Sequence, residues 1–243
     1  MRKIILTAAA CAMLFAGAAV AADEDEELVT DSWYLYRSTR HDVTGYIHLT
    51  RRDTDDEHTP VVLIADQRFV FRGRPLSLEM TLLCRDNAHL SPVRIVCRGS
   101  GGDEFGTFSA VVEDGVLKAE IGKRKIEREM PDGTATFLGL LEIVRRRPFD
   151  DEEPFEFHCL EASELNLKMD HRLDYVGEEE LSIDGRKQSL HKFKHTGAGS
   201  NPAYYWVSEQ RELVRVLLDD CKELSLTTEE KAKQALNKAL GLD

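Results

Sequence analysis

Apolar and polar residues alternate with a period of two over most of this chain, and shift to a helical period in only two places. "WYLYRS" and "GYIHLTRR" are short β-rich runs separated by "TRHDVT". "VVLIADQRFVFR" puts Val61, Leu63, Ala65, Phe69 and Phe71 on one face and Asp66, Arg68 and Arg72 on the other, the pattern of a half-buried strand. "SLEMTLLC" and "VRIVCRG" continue the series, and "LNLKMD" turns Leu165, Leu167 and Met169 inward. Asp114-Gly115 and Asp184-Gly185 each stand between two β-runs, a strong short-range signal for a hairpin. "NPAYYWVSEQRELVRVLLDD" predicts a further hairpin, whose return strand Leu213 to Leu218 is apolar on both faces and therefore central.

The helical period appears first in "TATFLGLLEIVRRRP", which spaces Phe137, Leu140, Leu141 and Val144 on one side and ends at Pro148. Gly139 weakens this helix, and a strand is the competing reading. The second place is the tail. Thr227 and Glu230 form a capping box, Ala232, Ala235, Leu236, Ala239 and Leu240 make an apolar stripe, and Gly241 supplies the stop. The predicted fold is mainly β (α+β): a long curved antiparallel sheet, or half-open barrel, in two meander blocks. The blocks cover about residues 31–126 and 155–226, with a helical linker at 134–147 and a C-terminal helix at 228–240, all in one domain of residues 31–243. The concave face of such a sheet is apolar and needs cover, for which the two helices are the candidates.

The N-terminus predicts a secretory signal peptide over residues 1–22. Arg2 and Lys3 precede an apolar run from Ile4 to Val20, with cleavage after Ala21 or Ala22 and an acidic flexible segment at 23–30. A retained anchor competes less well, because the run of about 17 residues is short for a bilayer span. Periplasmic or secreted localisation follows, with no integral membrane segment after processing. Loss of the two basic residues moves the net charge from −12 to −14, which argues against a nucleic-acid partner. Four cysteines survive cleavage: Cys84, Cys97, Cys159 and Cys221. In an exported chain they are disulfide candidates, and a Cys84–Cys97 bridge across the turn between two strands competes with buried free thiols.

Chemistry-bearing patterns are sparse. His41, Asp42, His48 and His58, with "DTDDEH", could serve acid–base chemistry or a metal, yet they read as a hydrated loop beside a strand. His191, Phe193 and His195 share one face of a strand, with the histidines about 13 Å apart by strand rise, too far for one ion, and read as a wet face. "CRGSGGDEFG" lacks the Lys-Ser/Thr of a phosphate cradle, and "RRRPFDDEEP" is a charged boundary between blocks. Tyr204 and Trp206 share one face of the "AYYWVS" strand. They read as cross-strand aromatic packing, with a ligand-binding surface as the sharper alternative.

The order strand, Asp-Gly turn, strand, "YYWVSEQRELVRVLL", "LSLTTEEKA" resembles a group of uncharacterised exported bacterial proteins. Their fold is similar to the lipoprotein-localisation carrier superfamily, a curved half-open sheet wrapped around helices. The early segment "WYLYRSTRHDVTGYIHLTRR" fits the same pattern, whereas Ser208 and "EQRE" depart from its final turn. The resemblance implies no activity, cofactor or metal. The expectation is a non-catalytic exported protein binding a lipid or other apolar ligand, or a partner segment, on a concave sheet face. A structural domain docking another exported protein is the alternative, and a hydrolase using the His41–His58 segment is a third.

Overall fold

The structure, a computed structural model, describes residues 27–242 apart from 40–41, 72, 102–106, 123, 152, 199–200 and 220–221. The expected signal peptide, His41 and Cys221 therefore lie outside the described residues. The first meander runs through β1 (Glu27–Thr39), β2 (Asp42–Asp53), β3 (Val61–Phe71), β4 (Arg74–Cys84), β5 (Pro92–Ser100), β6 (Phe108–Glu113), β7 (Val116–Ile121) and β8 (Arg124–Glu129). A short β9 (Thr134–Thr136) leads into α1 (Phe137–Arg146). The second meander is β10 (Phe155–Glu161), β11 (Asn166–Ile183), β12 (Arg186–Gly197), β13 (Ala203–Val207), β14 (Leu213–Asp219) and β15 (Lys222–Thr227), and α2 (Glu229–Leu240) follows. β1 begins at Glu27, so the last four residues of the segment expected to be flexible belong to a strand.

Both Asp-Gly pairs form the predicted turns. Asp114 and Gly115 have φ of 50° and 74°, and Asp184 and Gly185 have 48° and 77°, the left-handed pairs that match strand twist in a two-residue hairpin. The two meanders join through an antiparallel pairing of the first strand with the last, Trp33 opposite Thr227 and Arg37 opposite Glu223. The result among the described residues is one 15-stranded sheet with β1 and β15 at its middle and β8 and β9 at its margins. A sheet of this width twists and curls. Side chains also link the two meanders: Arg128 of β8 donates to the Leu165 carbonyl in the turn after β10 at 2.8 Å, and His89, between β4 and β5, meets the Glu156 carbonyl of β10 at 3.1 Å.

α1 lies in the trough. Leu138 to Val144 are all buried, and the helix touches β3 on one side and β10, β13 and β14 on the other. Only the concave face lets one ten-residue helix reach both meanders. Thr136 caps it by accepting from the Gly139 amide at 2.9 Å. A Cβ at Gly139 would stand 3.1 Å from the Thr136 hydroxyl, so a larger residue there would press on the cap. The stop follows from Pro148.

One charge enters the core with the helix. Glu142 is 5% exposed; it accepts from Arg51 of β2 at 2.8 Å and from Arg145 at 3.2 Å. Arg51 also holds Asp53 through two nitrogens, at 2.9 and 3.0 Å. A buried carboxylate is tolerated only when its partners are in place.

The C-terminal helix does not share the task of covering the concave face. α2 packs against β1, β2 and β3 from the convex side, where Lys233 stands 5.6 Å over the Trp33 ring. Its alanine-rich stripe is shallow, and Ala232 is its buried residue. Thr228, one residue after the expected Thr227, is its N-cap, and Gly241 ends it at φ 68°.

The Cys84–Cys97 bridge is not formed. Cys84, Cys97 and Cys159 are buried free thiols. The register pairs Cys97 with Met80 and Cys84 with Pro92. The two sulfurs are thus displaced by four residues along the ladder, about 13 Å of strand rise, beyond the reach of a disulfide.

Removing Glu142 should take the buried partner from two guanidinium groups beside the core, Arg51 and Arg145. Glu142→Ala is expected to cost about 3 kcal/mol of unfolding free energy, measured by urea denaturation followed by circular dichroism. The double replacement Arg51→Met with Glu142→Leu should recover most of that loss.

Candidate functional site

The site is built by strand alternation on β10 to β13. On β13, Tyr205 and Val207 turn inward and are fully buried, which sends Tyr204 and Trp206 to the opposite face. On β12 the inward set is His191, Phe193 and His195, so the face expected to be wet is the lining of the barrel. Phe193 pairs with Tyr205, and His195 with Ala203.

β11 does not keep a simple alternation. A bulge opposite His158, with Asp170 at φ 57°, places Lys168 across from Cys159 and His171 across from Phe157. Met169, expected inward, is therefore 44% exposed, and His171 is 3% exposed. The register sets His171 against Gly197. A Cβ at Gly197 would come within 2.3 Å of the His171 ring, so only glycine leaves room for the imidazole to lie there.

These phases bring three polar side chains into a row. His171 Nδ1 is 2.7 Å from His195 Nε2, and His195 Nδ1 is 3.3 Å from the Tyr205 hydroxyl. Phe157 packs on both imidazoles, its ring centroid 5.6 Å from His171 and 5.2 Å from His195. The row borders a cavity of about 530 Å³ beneath the start of α1. Its apolar wall comes from Ile47, Leu78, Met80, Phe137, Leu138, Ala203 and Leu218, contributed by both meanders and the helix. At the rim Lys168 donates to Glu161 at 2.6 Å.

Burial sets the protonation of this row. His195 is pushed down from 6.5 to about 4, first by desolvation and then by His171 and Lys168. Desolvation and Lys168 also lower His171. Burial raises the Tyr205 hydroxyl, and it pushes the Cys159 thiol up to about 11. At neutral pH the row is an uncharged chain of hydrogen-bonding groups, and the neighbouring sulfur is a protonated thiol.

The other candidates lie apart from this cavity. Tyr204 and Trp206 do not line it; they form a second apolar cluster with Leu190 and Val214 on the other face of the sheet. There Lys192 stands 4.9 Å over Tyr204 and 5.1 Å over Trp206, and the indole N–H donates to Glu179 at 3.1 Å. Their rings lie 6.1 Å apart along the same strand, and their cross-strand neighbours are Lys194 and Leu217 for Tyr204, Lys192 and Arg215 for Trp206. His48 stacks on Trp33 at 4.0 Å and pairs with Asp31 at 2.6 Å, while the His58 amide donates to Asp56 in the following loop. His191 is held between Phe149, Tyr175 and Glu209. Among the described residues, no group of three or more His, Cys, Asp or Glu side chains is placed to hold a metal ion.

No protein-family model and no curated protein matches this sequence. Among solved structures, the chain is similar to the beta-barrel-like protein of domain of unknown function DUF1849 from Brucella abortus, with a TM-score of 0.51 and 10% identity. The match covers 82% of this chain and 95% of that one. At this identity the likeness concerns the fold: a mainly β, barrel-like sheet. No helix among the described residues is long and apolar enough to cross a membrane.

The depressed imidazoles tie stability to pH. A histidine whose folded value lies below its unfolded one contributes stability that is present above the unfolded value and is lost as pH falls. Melting temperature should therefore drop between pH 6.5 and about 4, the window of His195. His195→Gln, which keeps a hydrogen-bonding side chain without the titration, should flatten that slope. Parallel melting curves for the two proteins across this range would contradict the assignment.

Proposed function

We propose that this chain is an exported, non-catalytic binding protein whose trough holds an apolar or amphiphilic molecule. The observation that carries this reading is the cavity of about 530 Å³ between α1 and the sheet. It combines an apolar wall with the Tyr205–His195–His171 row and further polar residues that include Gln67, Glu161, Lys168 and Asn201, in the volume range of small-molecule sites. The signal-peptide pattern of residues 1–22 supports export, and the half-open sheet around a helix is the architecture the carrier resemblance leads one to expect.

Binding is favoured over catalysis by the state of the groups present. A general base works best with a pKa near the operating pH, and the His195 value of about 4 is far from it. Cys159, with its thiol pushed up to about 11, is a poor nucleophile. The acidic balance of −12 sets the chain against polyanionic partners.

Delipidated protein titrated with cis-parinaric acid, a fluorescent long-chain probe, should give a saturable rise with one site per chain. Met80 lines the cavity and is 4% exposed. Met80→Trp should fill the space and abolish the signal while costing about 1–3 kcal/mol of stability. A flat titration of the unaltered protein would overturn the reading and leave docking to another exported protein as the better one.

A further inference from the structure

Tyr205 is fully buried, and its hydroxyl is protonated at neutral pH, because burial raises it above the ordinary phenol value. The large majority of buried hydroxyls are hydrogen-bonded. The hydrogen-bond partner of the Tyr205 hydroxyl among the described residues is His195 Nδ1, at 3.3 Å. The nitrogen that accepts this bond carries no proton, so the neutral His195 ring holds its proton on Nε2. That N–H points at His171 Nδ1, 2.7 Å away, which must then accept. The neutral His171 ring in turn carries its proton on Nε2.

His171 Nε2 is buried and meets no hydrogen-bond partner among the described residues, on a ring that is 3% exposed and lines the cavity. A buried donor left without an acceptor costs about 1–3 kcal/mol. Resting on the reading of the cavity as a binding site, we infer that the Tyr205–His195–His171 row is a one-way relay that leaves an unpaired N–H at His171 Nε2, over Gly197 at the cavity wall, for a ligand to engage when the ring turns toward it. The ligand it selects is an amphiphile whose apolar chain lies along α1 and whose head carries an acceptor oxygen, a carboxylate or an ester carbonyl. The relay discriminates against pure hydrocarbons, which cannot satisfy the donor, and against heads that only donate.

Two measurements test this. The first is the tautomeric state, read from the imidazole nitrogen resonances of the unliganded, uniformly 15N-labelled protein at pH 7. His171 and His195 should each carry the proton on Nε2 and leave Nδ1 bare. A proton on His171 Nδ1 would reverse the relay and overturn the inference, whatever the binding data say.

The second compares probes on the folded protein: cis-parinaric acid and its methyl ester, which carry acceptor oxygens, and diphenylhexatriene, which carries none. His171→Phe should weaken the acid and the ester about tenfold, the effect of losing one hydrogen bond, and change diphenylhexatriene by less than about twofold. His171→Gln restores a donor and should recover part of the loss. If the unaltered protein binds none of the three probes, the cavity reading itself fails. If it binds all three and His171→Phe leaves them alike, binding stands and the relay is refuted.

Discussion

A curled sheet, fifteen strands among the described residues, has an oily inner face that water must not reach, and the rest of this structure depends on how that face is covered. One short helix does the covering. α1 enters the trough directly after the edge strand β9 and buries every residue from Leu138 to Val144. Glu142 is the fastening: its carboxylate reaches across to Arg51 on β2, the far meander in sequence. Because α1 is only ten residues long, it fills part of the trough and leaves the remainder as the cavity beneath Phe137 and Leu138.

The two-residue rhythm of the chain made most of the sheet legible. Strands alternate because one face is core, and the Asp-Gly turns announce themselves because few other pairs adopt left-handed backbone twice in succession. The β1–β15 pairing at the middle of the sheet left no such trace, since nothing local to Trp33 or Thr227 records that the ends of the chain meet. The disulfide reading failed for a related reason. Cys84 and Cys97 flank one turn, but register places them four rungs apart, and register depends on the whole strand pair.

The candidate site was half legible. The "AYYWVS" hairpin was identified, but its aromatic residues divide between the faces, and the one that lines the cavity is Tyr205. His195 was visible as an alternating position on β12 but read as part of a wet face; it is half-buried, on the face whose Phe193 is core. His171 was hidden by the β11 bulge: strict alternation gives the inward place to Met169, and only the extra residue opposite His158 delivers an imidazole to its partner. Such bulges re-aim a side chain without any strong local signal beyond a left-handed residue, here Asp170.

The chemistry that results is that of a row of donors and acceptors at the edge of a partly apolar space, and the burial that lowers the imidazoles also raises the thiol of Cys159 beside them. All of this requires α1 to be a fixed part of the core rather than a loosely seated flap. Native-state hydrogen exchange over residues 137–146 measures that directly. The amides of Leu140 to Val144 should be among the slowest in the protein, opening only with global unfolding and tracking its free energy in added denaturant. Exchange of these amides within minutes at neutral pH, while β3 and β4 stay protected, would contradict the account.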